Sequence, residues 1–118
     1  MKTLVIGASE NASRYSNIAI NMLTEFNHEV VGIGSKAGTV AGVNFGTEQI
    51  PFSDIDTVTI YVGPQNQSNI IPYVLDLKPR RIIFNPGTEN ESFAKLAQNQ
   101  GIEVIEACTL VMLRTNQF

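Results

Sequence analysis

Leu4-Val5-Ile6 is an apolar run without alternation, followed directly by a small-residue turn and a helical periodicity. A strand with no polar side must be covered on both faces, which is the condition of a central strand in a parallel sheet. Gly7 then permits a tight turn and a close approach to a ligand. Beyond it Ile18, Met22, Leu23 and Phe26 recur at the spacing of a helix with one buried face. The start of such a helix offers free N–H groups and a positive charge of about half a unit, a seat for phosphate. Thr3 to Ser16 therefore reads as a nucleotide-binding βα unit.

A full dinucleotide fingerprint has three glycines, and here only Gly7 is present, with Ser9 and Ala12 near the other two places. An ordinary strand-to-helix turn has the same residues. Arg14 favours a ligand, because a cation in a first helical turn opposes the helix dipole by ~0.3–1 kcal/mol and makes more sense beside an anion. The second strand, Glu29–Gly34, carries the next signal at its end. Proteins that bind NAD place an acidic residue there for the ribose 2′-hydroxyl. This chain has Gly34-Ser35-Lys36 instead. A hydroxyl and an ammonium suit a phosphorylated ribose, as in NADP or the 3′-phospho-ADP of coenzyme A, while a solvated loop lysine is the plainer account.

Helix one is expected to stop near Phe26, with Asn27 in the left-handed conformation and His28, the one histidine, in a structural role at the helix's far end. Residues 38–46 read as a loop with a short hairpin strand. Strand three is Asp56–Val62, ending at Gly63-Pro64. Gln65 to Ser68 then offers caps for a helix starting at about Ser68 or Asn69, with Ile70, Ile71, Val74 and Leu77 inward. Lys78-Pro79-Arg80-Arg81 places favourable charge at that helix's end. Strand four is Ile82–Phe84, followed by the turn Asn85-Pro86-Gly87. Thr88 and Glu91 form a capping-box pattern opening a helix with Phe93, Leu96 and Ala97 inward and a stop at Gly101. Glu89 and Glu91 fit the dipole of that helix better than acid–base chemistry. Strand five is Ile102–Glu106, alternating as an edge strand does, and Thr109–Leu113 is a closing helical turn.

Five strands with helical crossovers in 118 residues point to one domain, residues 1–118, of the α/β class: a three-layer, Rossmann-like, doubly wound parallel sheet. The expected order is 3-2-1-4-5, which puts the reversal between strands one and four. The turns at Gly7–Arg14 and Asn85–Gly87 then flank one crevice at the carboxyl ends of the strands. The length leaves no room for a separate substrate domain. A net charge of −3 with scattered basic residues argues against nucleic acid. No leader-like start and no apolar run near ~18 residues is present, so a cytoplasmic protein that does not enter membranes is expected. Cys108 is the single cysteine, which leaves no intrachain disulfide and no cysteine cluster for metal.

Gly7-Ala8-Ser9 with Arg14-Tyr15-Ser16, His28-Glu29-Val30 opening strand two, Ile82 to Asn90, and Glu106-Ala107-Cys108 carry a resemblance. Over nearly the whole chain, Thr3 to Leu113, the sequence resembles the small stand-alone CoA-binding proteins of bacteria, similar to the CoA-binding domain of the succinyl-CoA synthetase α subunit. The resemblance implies a Rossmann-type domain that holds coenzyme A or an acyl-CoA. It places the diphosphate near Gly7, Ala8, Ser9, Asn11, Arg14 and Tyr15, and the adenosine phosphate near Gly34, Ser35 and Lys36. It also sets Val62, Gly63 and Pro64 beside the adenosine, with Asn85, Pro86 and Gly87 leading toward the pantetheine arm. The phosphate turn departs from synthetase domains in lacking their additional glycines.

No enzyme activity is expected. A synthetase needs a second domain with a phosphorylated histidine and a nucleotide-binding partner. The leading reading is a non-catalytic CoA-binding module, a sensor or a partner subunit, with a further protein partner or a homodimer left open. The alternatives are a small NADP-binding oxidoreductase, disfavoured by the absence of a Tyr-x-x-x-Lys pair, and a protein–protein interaction domain with a decayed nucleotide site.

Overall fold

A computed structural model describes residues 2–118. Its elements are β1 (Lys2–Ala8), α1 (Tyr15–Glu25), β2 (Glu29–Gly34), β3 (Gly38–Val40), β4 (Val43–Phe45), β5 (Ile55–Ile60), α2 (Ile71–Leu77), β6 (Arg81–Phe84), α3 (Glu91–Asn99), β7 (Glu103–Glu106) and α4 (Thr109–Arg114). Five of the strands form a parallel sheet in the order β2-β1-β5-β6-β7, and β3 and β4 form a separate antiparallel hairpin. Alternate residues of the central strand feed two cores, as strand geometry requires. Leu4 and Ile6 pack with Val74, Leu75, Phe93 and Ala97 of α2 and α3. Val5 packs with Ile20, Leu23 and Leu113 of α1 and α4 on the other face. The α/β/α layering and the parallel sheet expected from the sequence are present.

The strand order differs from 3-2-1-4-5. In the numbering used for that expectation, the observed order is 2-1-3-4-5. The reason lies at the outer edge of β2, where the chain leaving the hairpin has already taken the place expected for the third strand. Ile33 bridges Gly46 in parallel, and the Gly34 N–H donates to the Gly46 carbonyl at 2.9 Å. The next long strand, β5, therefore pairs on the other side of β1. The reversal lies between β1 and β5, so the Gly7 turn borders Tyr61 and Val62, and the Asn85 turn stands one strand further out.

Smaller departures have local causes. Helix α1 buries Ala19, Ile20 and Leu23, while Phe26 is 44% exposed. The polar run before α2 caps nothing: residues 64–66 form one 3-10 turn, Gln67 is fully buried, and α2 begins at Ile71 with Pro72 in its first turn. Asn90, not Thr88, caps α3, its side chain accepting from the Phe93 N–H at 3.1 Å. Leu96 points outward at 47% exposure. At the amino ends of the strands Arg80 bridges Asp56 at 2.9 Å and Glu103 at 3.6 Å, tying β5, β6 and β7 together.

Candidate functional site

Gly7 breaks the regularity of β1 where the site begins. Its φ of +96° coincides with a register shift against β2, and Ala8 turns onto the α1 side. A Cβ at Gly7 would stand 3.2 Å from Tyr61 and Val62, so the turn needs glycine to lie against β5. The loop after Ala8 is braced by its own side chains. Ser9 Oγ accepts from the Asn11 N–H at 3.1 Å, and Asn11 Oδ1 accepts from the Ser13 N–H at 3.0 Å and the Ser13 hydroxyl at 2.7 Å. Buried Asn17 donates to the Ser9 carbonyl at 3.0 Å from within α1. Arg14 is the residue that precedes α1 rather than a member of its first turn, and it provides no side-chain cap. The first-turn N–H groups of α1 are thus left without a capping side chain.

Three cavities follow the carboxyl ends of the strands. One, of about 270 Å³, is lined by Ala8, Ser9, Glu10, Asn11, Ser35, Lys36 and Ala37, which joins the first turn to the end of β2. Gly34 lies beneath it: a Cβ there would collide with the Ala8 carbonyl oxygen, so β2 can approach the turn only with glycine. Glu10 Oε2 accepts from the Thr39 N–H at 2.9 Å and pins the β3–β4 hairpin to the turn. A second cavity, of about 160 Å³, is bordered by Gly7, Arg14, Tyr15, Ser16, Tyr61, Pro86 and Thr88. The third, of about 310 Å³, is the most apolar: Tyr15, Tyr61, Asn85, Pro86, Cys108, Leu110, Val111 and Arg114 line it. Tyr15, Tyr61 and Pro86 belong to both of the last two, so those spaces share a wall.

The wall is held by Asn85, which is 2% exposed. Its amide donates to the Thr59 hydroxyl at 2.7 Å and to the Ile60 carbonyl at 2.8 Å, and its Oδ1 accepts from the Thr109 N–H at 2.9 Å. Thr59 and Thr109 share a further bond at 2.8 Å. One asparagine thereby fixes β5, β6 and the start of α4. The Tyr61 hydroxyl lies near Thr109, Thr59 and Cys108; it is buried without a well-formed hydrogen bond, and burial pushes its pKa up to about 12.

Of the residues singled out from sequence, Ala8, Ser9, Asn11, Ser35 and Lys36 share the first cavity, Gly7, Arg14 and Tyr15 the second, and Asn85 and Pro86 reach the third. Gly34, Val62, Gly63, Pro64 and Gly87 line none of the three. Val62 is tied instead to Gln67, whose amide donates to the Val62 and Thr88 carbonyls at 3.0 and 2.8 Å. The Gly87 N–H donates to Glu89 Oε1 at 2.9 Å. Sequence reasoning missed Glu10, Tyr61 and the α4 residues Leu110 and Val111. The position of Tyr61 just past a strand's carboxyl end was the available signal for it, whereas nothing local marks α4 as a cavity wall.

Among the described residues no group of three metal-ligating side chains occurs, and no helix is long and apolar enough to cross a membrane. A crystal structure of an uncharacterized protein is similar to this chain at 44% identity and a TM-score of 0.96, covering 99% of this chain and 97% of that one. A hypothetical protein from Pyrococcus horikoshii has the same fold at 22% identity and a TM-score of 0.85, over 96% of this chain and 81% of its own. A Thermus thermophilus protein does so at 20% identity and a TM-score of 0.86, over 99% and 90%. No curated protein matches the chain. The family model described as CoA binding domain matches residues 1–114, a span that takes in all three cavities and every turn that builds them. By that match the chain belongs to the CoA binding domain family.

Proposed function

We propose that the protein binds coenzyme A or an acyl-CoA through the phospho-ADP moiety and acts as a non-catalytic module, a sensor or a partner subunit. The observation that carries this reading is the cavity where the self-braced Ser9–Asn11 loop meets Ser35 and Lys36 at the end of β2. In this reading Lys36 and Ser35 take the 3′-phosphate, by a charge-assisted contact that NAD has no group to use. The diphosphate lies along Gly7, Ala8, Ser9 and Asn11 toward Arg14 and the uncapped start of α1. Val62, Gly63 and Pro64 follow β5, on the opposite side of β1 from β2, and in this reading they lie beside the adenosine. Pro86, in the wall common to two cavities, guides the pantetheine arm onward. His28 stands at the amino end of β2, its ring 4.9 Å from that of Phe118, which supports a structural rather than a chemical role.

Thermal unfolding with coenzyme A, dephospho-CoA, NADP and NAD tests the reading. At 100 times its dissociation constant a ligand adds ~2.7 kcal/mol, a rise on the order of 10 °C for a domain of this size. Coenzyme A is expected to give that rise and dephospho-CoA a smaller one, and Lys36→Ala to cost about tenfold or more in CoA affinity, as for loss of a hydrogen bond to a charged group. No shift with any nucleotide, or a larger shift with NADP than with coenzyme A, overturns it.

A further inference from the structure

We propose that the apolar cavity beneath α4 is an acyl chamber, and that the preferred ligand is a coenzyme A thioester of a short aliphatic acid rather than free coenzyme A. The proposal rests on the CoA-binding reading and extends it to the far end of the ligand. The cavity is separate from the polar space at Ser35 and Lys36, yet it shares Tyr15, Tyr61 and Pro86 with the cavity at the start of α1. A ligand running from the phosphate turn past Pro86 therefore arrives in it with its non-nucleotide end.

The lining suits hydrocarbon. Leu110, Val111, Pro86 and the Tyr61 ring form the walls, and Arg114 stands exposed at the rim. Tyr15 and Val111 are 70% and 52% exposed, two of the large apolar side chains that the fold leaves in water, and both border this cavity. Exposed apolar surface gathered around a concavity marks a place where something apolar binds. Tyr61 lines the chamber, while its hydroxyl is buried beside Thr109 and Thr59.

Size sets the chain length. A cavity of roughly 150 Å³ seats one benzene ring, and this one is about 310 Å³. With about half of it taken by the cysteamine end and the thioester, an acyl chain of roughly four to six carbons fits. Each methylene buried should tighten binding by about fourfold until the chamber is full.

Calorimetric titration of the whole protein with coenzyme A and its acetyl, butyryl, hexanoyl and palmitoyl thioesters provides the test. Expected is affinity that climbs from acetyl to hexanoyl, by tenfold or more over coenzyme A, and gains nothing further with palmitoyl. In Val111→Trp, which fills the chamber from an exposed helical position, the gain from the acyl chain is lost. In Val111→Ala the optimum moves to a longer chain. Equal affinity for coenzyme A and all its thioesters overturns the acyl chamber and leaves the CoA reading standing. An acyl gain that survives Val111→Trp at full size overturns its location, and no binding of any of the five ligands overturns both proposals.

Discussion

Replacing Asn85 removes three hydrogen bonds at once, to Thr59, Ile60 and Thr109. Asn85→Ala leaves the Thr109 N–H and the Ile60 carbonyl buried without their side-chain partner, at a cost of about 2–4 kcal/mol. Urea unfolding should show the midpoint falling with the slope unchanged. Asn85 was legible as a turn residue, because Asn-Pro-Gly is turn chemistry, but its side-chain partners were not. Thr59 and Thr109 are 26 and 24 positions away in the chain, and local sequence carries no trace of which distant hydroxyl an amide will meet. Gln67 escaped notice for the same reason, reading as a helix cap when it is a buried tie between the β5 and β6 turns. Glu10 is a different case: a carboxylate in the cavity proposed for phosphate, kept there by its bond to the Thr39 N–H. Glu10→Gln preserves an acceptor for that N–H and removes the charge. It should tighten coenzyme A by about two- to fivefold, measured by titration at low salt and shrinking as salt is added.

Among the elements, β2 and its flanking hairpin decide the most. The bounds of β2, the hairpin after it and the left-handed Asn27 before it follow from turn residues and β-branched runs, and all three are present. The start of α2 was misread because polar residues in front of an apolar run look the same whether or not they cap. Leu96 was misassigned because a helix as short as α3 buries only a narrow stripe, here Phe93 and Ala97. The hairpin itself is held by Phe45, 6% exposed and packed over the glycines of β2. Phe45→Ala should cost about 3–5 kcal/mol, the usual range for an aromatic removed from a core. Because the hairpin backs the Ser35–Lys36 turn, the variant should also weaken ligand binding, which titration at a temperature where it remains folded will reveal.

Taken whole, the molecule's class and layering were legible because unalternating strands, helix periodicities and turn residues all agree. The strand order was not, since a crossover to either side of β1 uses the same kind of sequence; the contest was settled by the chain that follows the hairpin occupying the outer edge of β2. The amino ends of the strands carry the acid response. Burial first, and the Arg81 charge after it, hold His28 below its ordinary value of 6.5. The folded state therefore favours neutral His28, and stability declines as pH falls below 6.5. The hydrogen bond from Arg80 holds Asp56 below 3.8, so its contribution is present above that value and lost at lower pH. Melting temperatures across pH 7.5 to 5 should fall less steeply in His28→Gln than in the natural chain, and the two curves should run parallel at lower pH. The same covering of β2 leaves the sheet unequal at its two borders. One margin, β2, is bridged by Gly46 at Ile33, and the other, β7, has no further strand beside it among the described residues. That margin is only four residues long and has Glu103 and Glu106 at its ends, so growth of the sheet from one molecule into the next is resisted there by charge and shortness.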